Sequence, residues 1–202
     1  MKKRLVYLTV CFLLLFMSSF GQKMKTKIGL KVGANFANIS NGQESISFSP
    51  QIKTDFQAGA VLNLRWGRRN KESDMGTGYF GLQPEILYSR QGFKVDGTSI
   101  NLDYISVPIL AKYYATKEVS LEVGPFFSYL LSNSPNTTVI DGAEIDLSDL
   151  KGTKDIGLAF GIGYEYRKHF NLNARYNLGM SEFANNLEWK NNVIAFSLGW
   201  FF

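Results

Sequence analysis

From Ile28 to the last residue, apolar positions alternate with polar or small ones at a period of two, in eight successive runs. The runs cover 28–36, 55–66, 80–89, 104–113, 119–129, 155–166, 170–179 and 194–202. The first reads Ile28, Leu30, Val32, Ala34, Phe36 on one face and Gly29, Lys31, Gly33, Asn35 on the other. A period of two means a strand with one apolar face. No segment of the chain holds an apolar run near 18 residues, so membrane-spanning helices are excluded. Eight is an even number, which lets both ends of an antiparallel barrel lie on one side of a membrane.

Two barrels fit this pattern. A soluble, lipocalin-like binder turns its apolar face inward; a membrane barrel turns it to lipid and keeps a polar lumen. The polar face here mixes many glycines with Lys31, Asp55, Arg65, Glu85, Lys112, Glu122, Asp155, Glu165 and Arg175. Glycine makes room beside long side chains in a narrow eight-stranded interior and has no such use on a soluble exterior. The opposite face is almost free of charge, as lipid requires: a mid-plane Arg or Lys there costs roughly 2–4 kcal/mol. The fold expected is an all-β, closed, eight-stranded antiparallel up-and-down transmembrane barrel.

The connections point the same way. Segments 115–118 and 167–169 are short, whereas 40–53, 92–101, 132–154 and 182–192 are longer and rich in Asn, Ser, Asp and Gly. Short turns at one end and long loops at the other are the periplasmic and extracellular ends of such a barrel. Trp66, Tyr113, Tyr114, Tyr166, Trp200 and Phe202 fall at the short-turn end, where an interfacial aromatic girdle is expected. The charged connection 67–78 is the exception at that end.

Ahead of the strands, Lys2, Lys3 and Arg4 precede an apolar run from Leu5 to Phe16, and Ser19 and Gly21 stand three and one before Gln22. This is the pattern of a cleaved secretory signal peptide over 1–21, leaving a barrel domain at 22–202. Cys11 lies inside the apolar run without the context of a lipid-attachment site. Removing 21 of 202 residues leaves 181, with no cysteine and 19 Lys+Arg against 17 Asp+Glu. A disulfide framework, a thiolate metal site and a basic nucleic-acid stripe are thereby excluded from the mature chain. The expected address is the outer membrane of a Gram-negative bacterium.

Several segments resemble the PorT-like outer-membrane β-barrel family: Ile28–Asn38 (IGLKVGANFAN), Gly81–Tyr88 (GLQPEILY), Tyr104–Tyr113 (YISVPILAKY), Glu122–Tyr129 (EVGPFFSY), Asp155–Tyr164 (DIGLAFGIGY) and Ala174–Gly179 (ARYNLG). The resemblance spans almost the whole mature chain. It implies an outer-membrane barrel, mostly without an assigned activity, some members being linked to the assembly of protein secretion systems. The terminal aromatic Phe202 also resembles the signal read by the barrel-insertion machinery.

Residues that could carry chemistry have plainer explanations. Gly76, Gly78 and Gly81 match G-x-G-x-x-G but lead into a strand, without the helix N-terminus that cradles phosphate. Asn136-Thr137-Thr138 is a glycosylation acceptor by pattern and a polar loop in this setting. His169, the one histidine, sits in a tight turn without an evident partner, and no catalytic set assembles around it. No catalytic, cofactor or metal site is expected.

The inward charges form the sharpest constellation. Folding about 115–118 sets Lys112 opposite Glu122 at pairing distance, and Arg175 is expected beside Gly161 and Gly199. Such a set reads as a plug of ion pairs, with a narrow porin-like conduit as the alternative. Recognition of a protein or glycan is expected at loops 132–154 and 182–192, the first carrying an acidic stretch with Asp141, Glu144, Asp146 and Asp149. Finally, a sheet edge with unpaired backbone is not tolerated in lipid, so 28–36 and 194–202 are expected to pair and close the barrel.

Overall fold

The computed structural model describes residues 24–41, 51–66, 79–95, 98–135, 137–140, 143–146, 153–167, 169–181 and 189–202. The segment 1–21, the connection 67–78 with Gly76 and Gly78, and Asn136 lie outside the described residues.

Among the described residues ten strands are formed: β1 (Lys25–Asn41), β2 (Lys53–Trp66), β3 (Tyr79–Val95), β4 (Thr98–Tyr114), β5 (Val119–Ser134), β6 (Thr137–Ile140), β7 (Ala143–Asp146), β8 (Lys154–Tyr166), β9 (Phe170–Gly179) and β10 (Trp189–Phe201). Eight of them close a barrel in the order β1-β10-β9-β8-β5-β4-β3-β2, and β6 and β7 make a separate hairpin. Every barrel neighbour is antiparallel. The seam pairs Gly29 with Phe201 and Phe36 with Ile194, and the Phe202 amide donates to the Ile28 carbonyl at 2.9 Å. Closure is what satisfies the backbone of the first and last strands in a medium without water.

The alternation sets which way each residue points. On β8, Ile156, Leu158, Phe160, Ile162, Tyr164 and Tyr166 are exposed on the outside, while Asp155, Gly157, Ala159, Gly163 and Glu165 are buried inside. Every other barrel strand has the same apolar-out pattern across its central part. A soluble, lipocalin-like binder is ruled out by this, because its exterior would be the polar face. From Ile156 to Tyr166, at roughly 3.3 Å per residue and a tilt of about 40°, the apolar band stands roughly 25 Å tall, the height of a barrel's lipid belt. Glycine is required where walls and fillings meet closely. A Cβ on Gly157 would stand 2.6 Å from the Phe126 ring that fills the lumen opposite it.

All four long connections expected from sequence are partly strand: β1 reaches Asn41, β2 starts at Lys53 and β10 at Trp189, and the other two are more extensively paired. Residues 92–101 continue the β3–β4 pairing through Gly92↔Asn101 and Phe93↔Ile100 as far as Val95↔Thr98. Gly92 allows this with φ 135°, its missing Cβ lying 1.9 Å from where the Ile100 carbonyl oxygen stands. Within 132–154, β5 runs on to Ser134 and the β6–β7 hairpin follows. The β3–β4 rise differs in character from the wall below it. There the buried inward residues are Phe93, Ile100 and Leu102, and the outward ones are Arg90, Lys94, Ser99, Asn101 and Asp103. The apolar face has changed sides, as it must where a wall passes from lipid into water.

Candidate functional site

The lumen is filled in layers. In the middle layer, Glu85 of β3 accepts from Lys31 Nζ at 2.7 Å, from Gln83 Nε2 at 2.6 Å, and from Arg175 of β9 through two bonds of 2.9 and 2.8 Å. Glu122 of β5 pairs with Lys112 Nζ at 2.7 Å and accepts from Arg175 Nη2 at 3.3 Å and Asn173 Nδ2 at 2.7 Å. Lys112 also donates to Gln83 at 3.0 Å. β9 and β3 stand opposite each other in the ring of strands, so Arg175 crosses the full diameter to reach Glu85. All five charged side chains are buried. Three cations share two carboxylates, so this layer carries one surplus positive charge.

Nearer the short turns, Glu165 pairs with Lys27 at 3.3 Å and Arg65 at 3.6 Å. The Arg65 guanidinium lies 3.8 Å from the centre of the Tyr114 ring, whose hydroxyl bonds Asn63 at 2.9 Å. Towards the other end, Lys53 pairs with Asp55, and an amide ladder joins Asn35, Ser89, Gln91 and Asn191. On that side the buried Leu87, Phe93, Ile100, Leu102, Tyr104 and Leu130 line the wall formed by β3, β4 and β5.

Of the nine inward charges expected from sequence, Lys31, Glu85, Lys112, Glu122 and Arg175 meet in one cluster, Arg65 and Glu165 in a second, and Asp55 pairs with Lys53. Asp155 joins none of them among the described residues: it is buried at the head of β8, next to Ser128 in register. Lys112 and Glu122 are direct cross-strand partners. Arg175 stands beside Gly161 as expected, but its neighbour on β10 is Ala195; Gly199 lies beside Asn171. The β10 register is set by Trp200↔Phe170 at the far end of β9, and no short turn gives it away in the sequence. Tyr114 points into the lumen rather than to the girdle, since its parity on β4 is that of Lys112.

Trp66, Tyr113, Tyr166, Trp200 and Phe202 do face outward at the short-turn end. Phe80 packs against Tyr113 there, and Phe170 meets Trp200 edge-on. A second outward aromatic set, Phe56, Tyr88, Tyr129 and Tyr176, stands at the opposite end of the apolar band. Tyr88 was legible in the same alternation, as the last apolar outward position before Arg90. His169 is not without a partner: its Nδ1 is 2.9 Å from the Phe201 carbonyl oxygen and its ring stacks on Trp200.

Residues 20–185 match the family described as outer membrane protein beta-barrel domain. The chain belongs to this family. It is therefore an outer-membrane β-barrel protein, and the apolar belt is its lipid surface. No curated protein matches the chain by sequence. Among solved structures it is similar to Ail, the attachment invasion locus protein of Yersinia pestis, with 14% identity over 88% of this chain and 99% of that one and a TM-score of 0.47. Neisserial surface protein A shares 12% identity over 88% of this chain and 99% of its own, at a TM-score of 0.47. OprG of Pseudomonas aeruginosa shares 10% identity over 90% and 96%, at 0.38.

Proposed function

We propose that this outer-membrane barrel is a non-enzymatic surface component, serving recognition, envelope structure or secretion assembly through its extracellular end, and that its lumen is a plug. The observation that carries this is Arg175 reaching across the lumen to Glu85, with Lys31, Lys112 and Glu122 buried in the same network. Ions would have to break a buried ion-pair network that reaches from one wall of the lumen to the other. A barrel filled in this way leaves its ends free to act. Partner binding is assigned to 132–154 and 182–192, with a protein or a glycan as the ligand.

Within the outer-membrane barrel family, the chain is assigned to the PorT-like members. The ordered segments IGLKVGANFAN, GLQPEILY, YISVPILAKY and DIGLAFGIGY support that reading, each falling on a barrel strand. Export through a signal peptide at 1–21, recognition of the C-terminal strand by the insertion machinery, and a Gram-negative host belong to the same proposal. Lys31, Glu85, Lys112, Glu122 and Arg175 serve as the plug, and Trp66, Tyr113, Tyr166, Trp200 and Phe202 as the periplasmic girdle.

Single-channel recording on the purified barrel tests the plug, which predicts no stable open state. A sustained, ion-selective conductance would replace it with a conduit. Deleting 136–152 while keeping the barrel, followed by pull-down from intact outer membranes, tests the loop assignment: capture by the full chain must be lost in the deletion.

A further inference from the structure

The β3–β4 rise presents a charge cluster on the outer wall just where that wall leaves the lipid. Asp103 accepts from Tyr88 Oη at 2.8 Å, Arg90 Nε at 2.8 Å, Arg90 Nη2 at 3.4 Å and Ser132 Oγ at 3.0 Å. Four donors saturate both carboxylate oxygens. The Arg90 guanidinium is thereby fixed in orientation while its Nη1 makes no bond to the described residues, and its side chain remains 38% exposed. The next outward base on the strand, Lys94, is exposed beside its register partner Ser99. Immediately below, Tyr88 packs against Phe56 at 5.8 Å between ring centres, the top of the apolar belt.

Charge on the lipid side of a barrel is tolerated only at the level of the headgroups. Here that level carries an immobilised guanidinium with free donors, a lysine, and the hydroxyl of Ser99, set over an aromatic pair. Fixed guanidinium donors suit a phosphate, a neighbouring hydroxyl suits sugar hydroxyls, and the rings suit the first carbons of acyl chains. We infer that the outward face of this rise, centred on Arg90 and Lys94, docks the phosphorylated sugar headgroup of an outer-leaflet glycolipid. The inference rests on the outer-membrane placement and takes the β3–β4 end as outward. Asp103 acts as a positioning residue: it spends its charge on holding Arg90 rather than repelling the ligand.

The test uses the full barrel in nanodiscs of phosphatidylcholine doped with equal small amounts of monophosphoryl lipid A and phosphatidylglycerol, with bound lipid read by native mass spectrometry. The wild type should retain lipid A several-fold over phosphatidylglycerol. R90Q/K94Q should lower that retention roughly tenfold or more, two surface cations each being worth about 1 kcal/mol against an anionic headgroup. K25Q/R167Q, at the opposite rim, should leave it unchanged. D103N separates a fixed guanidinium from general positive charge: the clamp predicts weaker retention although the variant gains positive charge. Unchanged retention in R90Q/K94Q, an equal loss in K25Q/R167Q, equal retention of phosphatidylglycerol, or tighter retention in D103N would each overturn the site. Nanodiscs expose both leaflets alike, so these outcomes do not depend on orientation in the cell. Protease access to a tag in the β6–β7 hairpin of intact cells reports orientation separately.

Discussion

Removing the larger member of the lumen network should cost less than removing a smaller one. Glu85 holds Lys31 and Arg175, so Glu85→Gln leaves three buried cations facing Glu122 alone, and Lys31 loses its carboxylate. Breaking a buried pair from one side costs about 3–5 kcal/mol, and two cations lose a partner here, which places the variant at the upper end. Arg175→Met removes a side chain that spans the diameter, yet Glu85 keeps Lys31 and Glu122 keeps Lys112, and the charges balance two against two. Its cost is the lost charged hydrogen bonds, offset by removal of the surplus cation, or about 1–3 kcal/mol. Urea titration of both variants in lipid vesicles, followed by tryptophan fluorescence and by gel mobility before and after heating, gives the two free energies. Arg175→Met equalling or exceeding Glu85→Gln would refute the charge accounting and show that geometry alone holds the network.

Three further outcomes follow from the wall and the turns. Ile162→Arg, near the middle of the apolar belt, should destabilise the barrel in vesicles by roughly 2–4 kcal/mol, whereas Ser99→Arg on the inverted rise should cost about 0–1 kcal/mol; equal costs would misplace the membrane boundary. Gly92→Ala should impair refolding, seen as loss of the heat-modifiable gel band, because φ 135° and the Ile100 carbonyl 1.9 Å from the new Cβ leave no relaxed position. His169→Ala should cost about 1 kcal/mol and shift Trp200 fluorescence, since it removes the side-chain bond to the Phe201 carbonyl and the stacked ring while the Phe201 amide keeps its bond to the residue 169 carbonyl; an unchanged spectrum and stability would mean that the imidazole does not hold the last strand.

What sequence could and could not reveal follows from the range of each signal. Alternation is local, so it gave the direction of nearly every side chain, and evenness with closure gave the seam that joins Phe36 to Ile194. Lys112 and Glu122 were predictable as partners because only a short turn separates β4 from β5. Arg175 meeting Glu85 was not, since contact across a lumen depends on tilt and stagger that no single strand encodes. The β3–β4 rise looked like loop because its apolar residues, Phe93, Ile100 and Leu102, turn inward and break the lipid-facing rule. Asp155 carried the right parity for the network but sits too near the head of β8 to reach it.

Closure is the claim on which the rest depends, and the β1–β10 seam tests it most directly. Val32 and Leu198 are register partners on that seam, and the chain from Gln22 onward has no cysteine of its own. The double variant V32C/L198C, folded in vesicles and mildly oxidised, should form one intramolecular disulfide, with V32C/G199C, offset by one residue and facing the other way, forming little. Absence of the first cross-link, or equal yield of the second, would contradict a closed eight-stranded barrel in this register.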